Sequence, residues 1–178
     1  MKKTVPGPKE RLLVLVRHAQ AGDPERFRRE TGRPDRERPL TGEGRQRNEA
    51  AAGGLRRLLG QIDHLFSSPY ARAWQTAQGI SEVIGRPPEA PGSLEPPWRP
   101  KPLSEWLESS VARGETALLV GHEPDLSTLI GYWLCGRGAG APVPMEKGAA
   151  CALRVSGNFG PGELELVWKL PQYGLRRL

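Results

Sequence analysis

At 178 residues the chain has the length of one domain with room for a sizeable core, and its 37% hydrophobic and 26% charged residues exclude a disordered polypeptide. The net charge of +6 is nearly all arginine, which fits an anionic partner and equally an arginine-leaning codon usage. The apolar run near the basic start, Leu12–Val16, is five residues long, too short for a signal peptide or a membrane span, so no membrane partner is expected. Cys135 and Cys151 stand in no metal or redox spacing and read as reduced thiols of a cytoplasmic protein. The three histidines are scattered without ligand spacing, which argues against a metal hydrolase.

In chain order, residues 1–10 read as a loose tail and residues 11–178 as a single domain. Residues 11–17 form a first, buried strand of the parallel type. The polar stretch 23–39, with its arginines, acids and prolines, reads as a long surface loop. Thr41 is placed to cap a helix that carries small and apolar residues at helical spacing from Ala50 to Leu59 and ends at Gly60. Residues 62–67 predict a second strand, and Tyr70–Ile84 a helix that stops at Gly85. A proline-rich segment, 86–102, leads to a short helix over 103–112. Thr116–Gly121 is another apolar strand, followed by a helix over Leu126–Leu134 and a Gly/Pro loop, 136–144. Residues 149–155 and 163–169 alternate like a terminal hairpin. The order predicts an α/β fold of three layers, α/β/α, with a mostly parallel central sheet and an antiparallel edge.

Three strand ends carry the chemistry. Arg17 and His18 follow the first strand, Ser67-Ser68-Pro69-Tyr70-Ala71-Arg72 the second, and Gly121-His122 the third. In an open α/β sheet ligands bind beyond the carboxyl ends of the strands, so these residues converge if the strands are parallel. Two guanidinium groups and two imidazoles make a site for a compact dianion, since the arginine fork matches phosphate oxygens. A neutral imidazole is also a nucleophile at physiological pH, and an N–P intermediate divides one hard displacement into two easier ones. A protonated second imidazole would add charge to the transferring phosphoryl group, and with the arginines present no metal or other cofactor is needed.

Four stretches also resemble a known family when taken together. They are Leu15-Val16-Arg17-His18-Ala19, Arg38-Pro39-Leu40-Thr41-Gly42-Glu43-Gly44, Ser67-Ser68-Pro69-Tyr70-Ala71-Arg72-Ala73-Trp74-Gln75-Thr76-Ala77 and Val120-Gly121-His122-Glu123-Pro124-Asp125-Leu126. In this order they look like the successive motifs of the histidine phosphatase (phosphoglycerate mutase-like) superfamily, and most of all its small SixA-type phosphohistidine phosphatase branch. The likeness implies a phosphoglycerate mutase-like fold, His18 as the phosphorylated nucleophile, and Arg17, Arg72 and His122 as the phosphate pocket. Ala19 stands where the family usually has glycine. Larger members carry an inserted helical cap with an acid for the leaving alcohol. Here only 86–102 occupies that place, which leaves the site open to a protein side chain. Glu95 lies in that segment and is the first candidate general acid, though it reads equally well as a solvated loop carboxylate; Asp23 and Glu123 rank behind it.

Blander roles suit other residues. His64 has no motif around it, the arginines from Arg26 to Arg38 are offset by Glu25, Glu30, Asp35 and Glu37, and the tryptophans read as core or cover. No basic stripe interleaves those tryptophans, so a nucleic-acid partner is not expected. The function expected is a phosphatase of phosphohistidine on a protein partner. The alternatives are a phosphatase of small phosphate esters such as sugar or glycerate phosphates, and a non-catalytic phosphate-binding module, against which the intact His18 argues. Nothing in the sequence addresses the oligomeric state.

Overall fold

The computed structural model describes residues 3–136 and 143–178. Five strands, β1 (Arg11–Arg17), β2 (His64–Ser67), β3 (Thr116–Gly121), β4 (Ala150–Val155) and β5 (Leu164–Leu170), form one sheet in the order β2-β3-β1-β4-β5. β2, β3 and β1 are mutually parallel, β4 runs against β1, and β5 runs against β4, so only β4 is reversed. Among the described residues six helices accompany them: α1 (Pro24–Thr31), α2 (Gly42–Leu58), α3 (Ala71–Ile84), α4 (Pro100–Ser110), α5 (Asp125–Cys135) and α6 (Gln172–Leu175).

The alternation of β1 explains the layers. Leu12, Val14 and Val16 point to one face and pack on Ala51, Ala52 and Leu55 of α2 and Ala73, Ala77 and Ile80 of α3. Leu13 and Leu15 point to the other face, against Leu103 and Leu107 of α4 and Leu129, Ile130 and Trp133 of α5. Every one of these side chains is at least 96% buried. Each Leu or Ile so buried contributes about 1.5–3 kcal/mol from the removal of apolar surface. This is the three-layer arrangement expected, with the antiparallel hairpin at one edge. Among the described residues, no helix is long and apolar enough to cross a membrane.

Local signals set the helix ends. Thr41 Oγ1 accepts the Gly44 N–H at 3.0 Å and caps α2, and Gly85, in the left-handed region at φ 76°, ends α3.

The structure differs from expectation in several places. The stretch 23–39 is not all loop: it holds α1 and a 3-10 turn, Asp35–Glu37. Asp23 caps α1 by accepting the Arg26 N–H at 2.8 Å, Pro24 begins it, Arg26 and Glu30 pair along it, and Gly32 closes it. None of its residues is buried, so it has no apolar stripe to betray it. The expected loose tail is tied down at Thr4, whose N–H donates to the Leu58 carbonyl at 2.7 Å and whose hydroxyl accepts from the Trp168 indole at 3.2 Å. α4 begins at Pro100, where a proline suits a first turn, and the short α6 follows the hairpin. Of the Gly/Pro loop 136–144, residues 137–142 lie outside the described residues.

Candidate active site

The register of the sheet brings the three strand ends level. Arg17 pairs with Gly121 across β1 and β3, and Ser67 pairs with Val120 across β2 and β3. The next residues continue the pairing: the His18 N–H donates to the Gly121 carbonyl and the Ser68 N–H to the Val120 carbonyl, both at 3.0 Å. β4 supports the other side, where the Arg17 N–H donates to the Ala149 carbonyl at 3.1 Å. From α3, Thr76 Oγ1 accepts the Ala19 N–H at 3.0 Å and fixes the chain just after His18.

A crevice of about 450 Å3 opens at this edge, and Arg17, His18, Arg72 and His122 all line it. The four residues expected from the strand ends are therefore brought together. The His18 and His122 rings lie 5.2 Å apart, centroid to centroid. His18 Nδ1 is 2.8 Å from the Ala19 carbonyl, which can only accept, so Nδ1 carries the proton and Nε2 is left with its lone pair. Burial, the main cause, together with the charges of Arg72, Arg17 and Arg38 pushes the His18 pKa down to about 3, outweighing the hydrogen bond to Ala19. The imidazole is neutral at physiological pH.

His122 Nε2 lies 2.8 Å from Ser68 Oγ, which also accepts the Tyr70 N–H at 3.3 Å. In the tautomer in which the Ser68 hydroxyl donates to Nε2, the His122 proton sits on Nδ1. The Nδ1 atom is buried and has no partner among the described residues, as is true of Arg17 Nε and Arg72 Nε. Burial first, then Arg72, His18 and Arg17, push the His122 pKa down to about 3 as well. His122 is thus neutral in the unliganded protein, and the charge that a protonated second imidazole would have supplied is absent there.

Arg38 also lines the crevice, with only 9% of its surface exposed, and this corrects its reading as part of a solvated loop. Its Nη1 donates to the Gly22 carbonyl and its Nε to Asp35 Oδ1 at 2.6 Å. Asp35 Oδ2 pairs with Arg72 Nη1 at 3.1 Å, and the Asp35 carbonyl accepts from the same nitrogen at 3.0 Å. Burial favours the neutral Asp35 acid, but the Arg38 hydrogen bond and the Arg72 charge outweigh it and hold the carboxyl below its ordinary range. Arg17 is steadied by the Met145 carbonyl, which accepts from its Nη1 at 2.8 Å. Lys147 adds a further cation at the rim. The signal for Arg38 was its place directly before Pro39-Leu40-Thr41-Gly42; Ser68 and Asp35 gave none of their own.

The candidate acids separate. Asp23 and Glu123 line the crevice, whereas Glu95 lines a neighbouring cleft with Tyr70 and Trp74. Glu123 Oε1 accepts the Met145 N–H at 2.6 Å and Oε2 accepts the Ser127 hydroxyl at 2.7 Å, so this carboxylate holds two segments together. Asp23 is the cap of α1.

An unprotonated imidazole nitrogen amid three guanidinium groups, at the carboxyl edge of parallel strands, defines an enzyme of phosphoryl transfer. A family model described as the histidine phosphatase superfamily (branch 1) matches residues 13–95. The chain belongs to that superfamily and is a phosphatase. An uncharacterised protein of Picosynechococcus sp. is 34% identical over 116 residues, 64% of this chain and 67% of the other. The structure of the protein histidine phosphatase SixA complexed with tungstate is similar at TM-score 0.74 and 22% identity, covering 92% of this chain and 99% of that one. A candidate phosphohistidine phosphatase SixA from Nakamurella multipartitia matches at TM-score 0.70 and 25% identity, over 94% and 98% of the two chains. A mycobacterial glucosyl-3-phosphoglycerate phosphatase matches at 0.66 and 20%, over 89% and 97%. The fold is that of the SixA-type members.

Proposed function

We propose that the protein removes the phosphoryl group from phosphohistidine on a partner protein, through a covalent intermediate on His18. The observation that carries this is the set of unspent nitrogens on residues of one crevice: His18 Nε2 with a lone pair, and Arg17 Nε, Arg72 Nε and His122 Nδ1 buried without partners among the described residues. Buried polar groups are rarely left unpaired, and a phosphate dianion supplies acceptors for all three donors.

In the first step His18 Nε2 attacks phosphorus while the bond from phosphorus to the substrate imidazole breaks. The electron pair of that bond goes to the departing nitrogen, which takes a proton. In the second step water attacks phosphorus, the Nε2–P bond breaks, inorganic phosphate leaves and His18 returns to its starting form. Arg17, Arg72 and Arg38 neutralise charge on the equatorial oxygens in both steps.

The leaving group is where the reading is decided between substrates. Imidazole departs more readily than an alkoxide and asks less of a general acid. Asp23 and Glu123, the carboxyl groups at the crevice, are engaged in a helix cap and a loop clamp, and Glu95 lies outside it. That supports an N–P substrate over the sugar and glycerate esters.

The test is twofold. Incubation with labelled phosphohistidine protein should leave acid-labile label on the enzyme, and the His18→Ala variant should take up none. Turnover should be faster on phosphohistidine protein than on a panel of sugar and glycerate phosphates. Label that persists in His18→Ala, or a preference for the esters, refutes the proposal.

A further inference from the structure

Beside the phosphate crevice lies a larger cleft of about 570 Å3, and the mechanism uses none of it. Its apolar walls are Phe27, Tyr70 and Trp74, and Arg33 and Arg36 stand at its rim. Tyr70 lines this cleft and lies against two residues of the crevice. Its ring lies 5.1 Å from that of His122, and the Arg72 guanidinium carbon lies 5.2 Å from its centroid.

Phe27 is the informative residue. It is the only large apolar side chain of α1, a helix none of whose residues is buried. Among the described residues Phe27 belongs to none of the hydrophobic core clusters, yet it lines the same cleft as Trp74 of α3. The rim is electrostatically unfinished too: Arg33 is held by Glu37 at 2.6 Å, whereas Arg36 makes no ion pair among the described residues.

We propose that this cleft docks the protein that carries the phosphohistidine. An apolar side chain near the phosphorylated residue enters between Phe27 and Trp74, and a neighbouring carboxylate meets Arg36. This rests on the functional reading above. Two observations favour a polypeptide occupant. The cleft adjoins the crevice at Tyr70, whose ring lies beside His122 and Arg72, so a polypeptide that places a phosphorylated side chain in the crevice brings its neighbouring residues to the cleft. The pairing of rigid aromatic rings with an unpaired arginine is also the composition that anchors protein interfaces.

The experiment compares two substrates, a histidine-phosphorylated carrier protein and free phosphohistidine, on the intact protein and on Trp74→Ala, Phe27→Ala and Arg36→Glu. Phe27 and Arg36 are outside the core, so those two variants keep the test valid should Trp74→Ala unfold. The expected result is a fall in kcat/KM on the carrier of about tenfold per variant, the size of one interface anchor, with free phosphohistidine within about twofold of the parent. Equal losses on both substrates would make the cleft a leaving-group pocket and overturn the proposal. No loss on either overturns it as well. If the parent hydrolyses the carrier and the variants match it, the docking cleft alone fails. If the parent hydrolyses neither phosphohistidine substrate, the functional reading fails and docking falls with it.

Discussion

Two neutral histidines in one crevice should make the native state sensitive to mild acid, above the pH at which carboxylates titrate. His18 and His122 are 5% and 6% exposed, and the pKa of each is pushed from 6.5 down to about 3, by burial first and then by the neighbouring arginines. In the unfolded chain both return to about 6.5. Between these values the unfolded state holds more protons than the native one, so stability is complete above the unfolded pKa and drains away as the pH falls toward 3. Each pH unit in that window costs about 1.36 kcal/mol per histidine. By pH 5 the pair has cost about 4 kcal/mol, a large part of the roughly 5–15 kcal/mol that holds a domain folded. The assay is urea unfolding at intervals from pH 7 to 5. The unfolding free energy should fall with a slope approaching two protons per molecule at the lower end, and His122→Gln should remove about one of them. A flat profile below pH 6.5, or an unchanged slope in the variant, would refute the assignment of both rings as neutral.

Other substitutions probe the arginine cradle and its supports. Asp35→Asn, which loosens Arg38 and Arg72 together, should lower kcat about tenfold or more with little change in melting temperature, and Asp35→Glu should recover part of it; steady-state kinetics beside thermal unfolding separates these. Arg72→Lys should cost about a hundredfold in kcat/KM, because an ammonium cannot replace the fork. Gly44→Ala should destabilise by about 1–3 kcal/mol in urea unfolding. A Cβ there would sit 2.1 Å from the Gln20 carbonyl, in the turn that follows His18. Glu95→Gln should leave turnover of free phosphohistidine within about twofold of the parent, since the residue lies outside the crevice.

The parts of the molecule that write themselves into sequence are those with a buried face. Leu12–Val16 of β1 and Ala117–Val120 of β3 are uninterrupted apolar runs covered on both sides. Arg17, His18, Arg72 and His122 were legible because each directly follows a strand or opens the helix after it, where position along the chain predicts position in space. Arg38 was not. Six arginines and their acidic neighbours in one polar stretch look alike, and beyond the motif it opens Arg38 is set apart by tertiary contacts with Gly22 and Asp35. α1 escaped for the opposite reason: its ends are well marked by Asp23, Pro24 and Gly32, but it has no apolar stripe for a periodicity to register. The neutral state of His122 was beyond reach too, because it depends on how deeply the ring is buried and how near Arg72 comes.

α1 also carries an evolutionary consequence. A helix with no residue in either core can change its side chains at almost no thermodynamic cost, so it escapes the constraint that burial places on α2 and α3. Its neighbour in sequence, the turn that bears Asp35, is tied to Arg72 and Arg38 and is not free in this way. The lineage can therefore try new surfaces at Phe27 and the flanking arginines while stability and the reacting groups stay where they are. Exchanging residues 24–31 between relatives is a direct way to transplant preference without rebuilding the enzyme.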